Sequence, residues 1–391
     1  MVPLVYTRFI QPTSPARLGG RVLAAWAALL MLAACGGDGP NLPPPPSALS
    51  VTTAGRLERG STLTVTVTAD GAAVDPAGYT LSVAPADGAQ LLGGGQVRLT
   101  RAGAVTLTAT AGTRTGKADL TVAAPPVVVF DRYTGGNRDI WRVDLDGQNL
   151  VQLTTDPGED QDPTVAQGKV VWLSFRSGRA ELYTKALAGG ADTRITNTAA
   201  DESTPALSPD GSRVAYSLVA GGVTKVYVAN ADGSGAARAT AAGFGFDGAI
   251  ETAPAYASGS RLSFVATANG SADIFQMTGN AAPVVVAGGS SAEVEPAWST
   301  DGNTLAFVSN RSGSTEIFLL NASTGAVTQL TSGPGTKSQP AWTPDGRVVY
   351  LETLNSGATR LRWVDPAQPA VVNTIDTGVG AVEHPAVAPA S

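Results

Sequence analysis

The chain has 391 residues, enough for two or more domains, and its 43 % share of hydrophobic residues can bury one core or several despite 46 glycines and 26 prolines. A formal net charge of −6 leaves no basic stripe to neutralise phosphates, which argues against a nucleic-acid partner. One histidine, His384, and one cysteine, Cys35, exclude intrachain disulfides, Cys/His zinc sites and multi-histidine metal centres, so no metal site and no cofactor is expected.

Residues 1–34 carry Arg8, Arg17 and Arg21 and no acid, and they end in an apolar run from Val22 to Ala34. At about 1.5 Å per residue the run falls short of a bilayer core of about 30 Å and suits the apolar region of an export signal. It closes on Leu32-Ala33-Ala34-Cys35-Gly36, which resembles the lipobox of bacterial lipoproteins, where the cysteine thiolate takes the lipid. The resemblance implies that 1–34 is a signal peptide and that Cys35 becomes a lipidated N-terminus. Gly36 in place of an acid implies the outer membrane, facing the periplasm or the cell surface. Residues 35–47, rich in glycine and proline, read as an extended tether.

Residues 48–124 alternate apolar and polar in short β-branched segments: Leu63–Val67, Tyr79–Val83, Gln96–Thr100, Val105–Ala109 and Asp119–Val122. Period two gives each strand one buried and one wet face, the pattern of two packed antiparallel sheets. The stretch Arg101 to Gly112 resembles the closing hairpin of bacterial immunoglobulin-like domains, which implies a spacer or adhesion module. Gly112-Thr-Arg-Thr-Gly116-Lys117-Ala118 approximates a phosphate-binding loop, but it is one residue short and has alanine at the magnesium-binding position. A hairpin turn accounts for it.

Residues 125–391 repeat one unit. Six proline anchors stand at Pro163, Pro205, Pro254, Pro296, Pro340 and Pro385, at spacings of 42, 49, 42, 44 and 45. The first five precede a turn (Ser208-Pro-Asp-Gly211 and Thr343-Pro-Asp-Gly346 among them), then an apolar strand, a polar hairpin and two further strands. Four strands per unit of about 44 residues is the arithmetic of a propeller blade. The run starts on a second strand, Val127–Phe130, and ends on an unused anchor, His384-Pro385-Ala386. The last strand is therefore expected to complete the first blade and close the ring. The predicted fold is all-β, a six-bladed β-propeller after a small immunoglobulin-like sandwich. Pro-Ala-Trp-Ser/Thr-x-Asp-Gly (296–302 and 340–346), followed by Glu-Ile-Phe, resembles the TolB-type (PD40, WD-like) propeller repeat. That resemblance implies a periplasmic protein that binds other envelope proteins. It does not extend to an α/β domain, whose place the sandwich takes.

Two repeat positions carry the candidate site. Three residues before each proline stand Asp160, Glu202, Glu251, Glu293, Lys337 and Val382; one residue before stand Asp162, Thr204, Ala253, Glu295, Gln339 and His384. If the blades are equivalent, Asp160, Asp162, Glu202, Glu251, Glu293 and Glu295 form an acidic ring at the channel mouth that recruits a cation or a basic partner. The alternative is a loop-capping carboxylate repeated in each blade. Gly243-Phe-Gly-Phe-Asp-Gly248 matches a dinucleotide fingerprint by letter only, since no helix pattern follows. It reads as a loop insertion in the 49-residue interval, with Phe244 and Phe246 as contact residues or packed beneath the loop. No Gly-x-Ser-x-Gly elbow occurs, and no motif supplies His384 with a nucleophile. The expected function is a non-enzymatic, lipid-anchored envelope protein whose propeller binds proteins. The alternatives are a glycan- or cation-binding surface lipoprotein, or a propeller hydrolase or lyase.

Overall fold

The computed structural model describes residues 48–257, 260–268 and 270–388. The segments expected to be a signal peptide and a tether, with Cys35 between them, lie outside the described residues.

Strand Thr62–Ala69 buries Leu63, Val65 and Val67 and leaves Thr62, Thr64 and Thr66 in solvent, as period two requires. The same parity buries Val97, Leu99, Val105, Leu107 and Ala109. Together these side chains fill one core between two sheets. One sheet runs Leu49–Ala54, Thr62–Ala69, Gln96–Leu99, Ala89–Gly93, with Ala72–Ala73 paired to the second strand; the other runs Thr80–Ala84, Gly103–Ala111, Arg114–Val122. Ala111 faces Arg114 across a two-residue turn, so the stretch from Gly112 to Ala118 is a hairpin.

From Val127 onward the described residues form six four-stranded antiparallel sheets. Blade 1 takes its inner strand, Ala381–Ala388, from the far end of the chain, followed outward by Val127–Thr134, Asn137–Asp144 and Val151–Gln152. Blades 2 to 6 are continuous in sequence, with inner strands Asp160–Ala166, Glu202–Leu207, Ile250–Tyr256, Glu293–Trp298 and Thr336–Trp342. Each inner strand contacts the next, and the sixth contacts the first, so the ring is closed. Second strands such as Val127–Phe130 and Val170–Leu173 are buried on both faces, which is why they read as unbroken apolar runs. Six separate apolar clusters lie between neighbouring blades; Phe130 and Val143 of blade 1, for instance, pack with Val349 and Leu361 of blade 6.

Antiparallel order sends the first-to-second and third-to-fourth turns of every blade to one end of the ring. The second-to-third hairpins and the connections between blades lie at the other end. The sandwich docks on the first of these ends, at blades 1 and 6. Arg347, directly after the Pro-Asp-Gly turn of blade 6, gives two bonds to Glu58 at 3.0 and 2.7 Å. Arg59 bonds Asp146 at 2.8 Å and also pairs with Asp144 in blade 1, while Arg56 reaches Asp365 at 2.9 Å.

Candidate functional site: the channel and the blade interfaces

Each inner strand is interrupted at its proline. Proline has no N–H for the ladder, and the register slips there in all six blades, between Gln161 and Thr164 in blade 2 and between Glu383 and Ala386 in blade 1. The residue before each proline takes a left-handed backbone: Asp162, Thr204, Ala253, Glu295, Gln339 and His384 all have φ between 46° and 53°. That conformation is uncommon outside glycine and is costliest for the β-branched Thr204. These six residues and their prolines line a central cavity of about 230 Å³.

Hydrogen bonds link the residues of this ring across blade boundaries. The Gln339 N–H donates to Glu295 Oε2 at 2.5 Å, and the His384 N–H donates to Gln339 Oε1 at 2.7 Å. The His384 ring then spans two carboxylates, with Nδ1 2.7 Å from Asp131 Oδ1 and Nε2 2.8 Å from Asp162 Oδ1. The buried Asp131 also accepts from the Asp162 N–H at 3.3 Å and pairs with Arg138, which reaches on to Glu383 at 2.8 Å. Burial alone would lower the His384 pKa, but the hydrogen bonds to Asp131 and Asp162 raise it to about 10. The histidine is therefore a cation at neutral pH. Burial raises Glu295 above the usual carboxylate range, against the N–H of Gln339.

The channel brings together Asp162 and Glu295 alone of the six acids expected there. Asp160, Glu202, Glu251 and Glu293 are almost wholly buried at the bases of their blades. Arg176 holds Asp160 at 3.0 Å. Glu251 accepts from the Thr240 hydroxyl at 2.9 Å and from Lys225 at 3.2 Å, and Glu293 accepts from Ser309 at 3.0 Å and Arg311 at 2.9 Å. Glu202 accepts from Thr198 at 2.7 Å and Thr196 at 3.2 Å. Thr196 also takes the Leu182 N–H of the preceding blade at 2.8 Å, so the carboxylate ties one blade to the next. Lys337 fills the same position in blade 6 and donates to the Pro334 carbonyl at 2.7 Å.

Burial pushes Glu202 up to about 7; the two threonine bonds oppose the shift and the neighbouring charge of Glu181 adds to it. Asp139 stands in the same relation to Asp160, and burial pushes it up to about 6. A carboxyl whose pKa rises on folding binds its proton more tightly when folded, so its contribution is present at low pH and is lost as the pH climbs. Stability is expected to fall as pH rises from about 4.5 to about 7. In Glu202→Gln that slope should be shallower, which denaturant titrations at pH 4.5, 6 and 7.5 measure.

Phe246 is buried, packing edge-on against Phe264 at 5.9 Å and Phe275 at 4.9 Å, with Phe244 beside this cluster. The loop that carries them is pinned by the buried Lys225, whose Nζ donates to the carbonyls of Phe246 and Ala249, the latter at 2.7 Å. Neither ring stands out from the surface. Sequence reasoning missed Asp131, Arg138, and the Glu58–Arg347 pair. Asp131 carried a signal: it follows the apolar run Val127–Phe130 where blades 2, 4, 5 and 6 have Leu173, Val265, Val308 and Leu351 and blade 3 has the uncharged Ser217.

Six four-stranded sheets, each with a proline-headed bulge facing a shared channel, define a six-bladed β-propeller. Residues 165–291 and 282–389 match the PD40 TolB beta propeller domain, and the chain belongs to that family. It is similar to the Protein TolB homolog of Chlorobium luteolum (28 % identical over 163 residues, 41 % of this chain and 36 % of the relative). It is likewise similar to the Tol-Pal system protein TolB of Francisella tularensis subsp. tularensis (29 % over 171 residues, 42 % and 38 %). The chain thus spans little more than a third of the length of these curated relatives. Among solved structures, TolB from Acinetobacter baumannii superimposes with a TM-score of 0.62 at 18 % identity, covering 80 % of this chain and 83 % of that one, a likeness of fold.

Proposed function

We propose that this chain is a non-enzymatic cell-envelope protein that binds protein partners through the end of the propeller opposite the sandwich. The observation that carries this reading is a set of exposed apolar side chains at that end. Tyr133, Phe175 and Val219 sit at second-to-third hairpins, and Ile250 and Val379 sit where connections enter inner strands. Val379 is 84 % exposed. Among the described residues, the propeller's other exposed large apolar side chains, such as Val284 and Val372, lie on or directly beside the outermost strands. Apolar groups gathered around one opening mark an interaction face. The Tol-Pal name of one relative agrees with an envelope partner. On this reading Cys35 carries the lipid anchor, the tether holds the folded part off the outer membrane, and residues 48–124 act as an immunoglobulin-like spacer.

The channel chemistry supports binding over catalysis. His384 is flanked by carboxylates on both ring nitrogens and carries its proton at neutral pH, so it is not available as a general base. A cation in the channel is disfavoured because Asp162 and Glu295 are already engaged by His384 and Gln339. The double variant Phe175→Asp/Val379→Asp should lose at least tenfold of the partner recovered by wild type from solubilised envelope, the loss expected when charge enters an apolar contact. Undiminished recovery would remove the partner from this face.

A further inference from the structure

The sandwich and the propeller enclose a groove in two continuous halves of about 480 and about 460 Å³, which share Arg59, Gly60, Arg98 and Asp146. Its walls are held by ion pairs that cross from one module to the other: Glu58 with Arg347, Arg59 with Asp146, and Arg56 with Asp365. A groove braced in this way is formed before any ligand arrives. One wall charge stands apart. Arg98, on the strand Gln96–Leu99, lines both halves, and none of the ion pairs or hydrogen bonds among the described residues involves its guanidinium.

Side-chain amides flank it on both sides. Gln90 and Gln148 line one half; Gln368 and Asn373 line the other, where the partly buried ring of Trp363 lies beside them. We infer that this groove binds an acidic saccharide chain, that is, linked pyranoses bearing carboxylates. An unpaired guanidinium offers a planar fork that matches a carboxylate with two parallel bonds. Amides both donate to and accept from sugar hydroxyls, and an indole edge or face accommodates the C–H surface of a pyranose. An acidic peptide would also satisfy Arg98, but it presents few hydroxyls to the four amides.

Calorimetric titration of the full chain with tetragalacturonate tests this, with cellotetraose as the uncharged sugar and tetraglutamate as the acidic peptide. Tetragalacturonate should bind with a Kd of about 1 mM or tighter and at least about tenfold better than either control. Arg98→Ala should weaken it about tenfold without moving the thermal midpoint, since the side chain is exposed. Asn373→Ala, which leaves every charge in place, should weaken it by a smaller factor. The inference is overturned by an absence of binding, by equal affinity for tetraglutamate, or by an affinity that Arg98→Ala leaves unchanged.

Discussion

Replacing His384 with alanine is expected to lower the stability of the ring by about 3 kcal/mol at neutral pH, the low end of the range for removing one partner of a buried charge pair, since the imidazole retains some solvent contact. The strand that carries His384, Ala381–Ala388, is the last among the described residues and completes the first blade. Its histidine reaches Asp131 on the neighbouring strand of that blade and Asp162 on the inner strand of blade 2. One side chain thus ties the end of the ring to its beginning and to the next blade. Alanine leaves Asp162 without its cation and Asp131 with Arg138 alone. The pH dependence is distinctive. Folding raises the His384 pKa to about 10 from an ordinary value of about 6.5, so the folded chain holds a proton that the unfolded chain releases. The clasp contributes fully below about pH 6.5 and is lost as the pH rises through about 10. Urea midpoints at pH 6, 8 and 10 should therefore fall for wild type and change less for His384→Ala. Parallel curves for the two proteins would contradict the clasp.

The second large effect falls on the junction of sandwich and propeller. Glu58→Ala strips the paired carboxylate from Arg347, whose side chain is 3 % exposed, and is expected to cost about 3 kcal/mol. The loss is limited because Asp345 lies 2.8 Å from the same guanidinium. Calorimetry should separate the outcomes: one cooperative transition for wild type, and in Glu58→Ala an earlier transition for the sandwich alone. Gly60→Ala probes the same contact from the backbone. Its φ is +90°, and an added Cβ would stand 2.8 Å from the Asp146 Cβ, so the junction must open to admit it. A single transition at the wild-type temperature in both variants would mean that the ion pairs do not couple the two modules.

The repeat was legible because each blade restates the same proline, turn and apolar strand, and because an unused anchor at the chain end matched a missing inner strand at the start. The facing of the acids was not legible. Asp160 and Asp162 are two residues apart, and regular alternation would put both on one face. The bulge at Pro163 breaks the alternation between them, so Asp162 lines the channel while Asp160 is buried against Arg176. The same slip separates Glu293 from Glu295. The partners of His384 and Arg347 lie hundreds of positions away in sequence, and no local pattern announces them. Phe244 and Phe246 could be read either way from their glycine neighbours. The deciding group is Lys225, which stands where other blades have Glu181, Asp273 and Glu316 and fastens the loop.

On the proposed function, partners meet the propeller at the end away from the sandwich. Photo-crosslinking in the intact envelope tests it most directly, with the reactive residue placed at Phe175 or Val379 at that end and at the exposed Asn280 at the other. One discrete crosslinked protein is expected from Phe175 and from Val379 and none from Asn280. Crosslinks from Asn280 alone, or an identical pattern from all three positions, would contradict it.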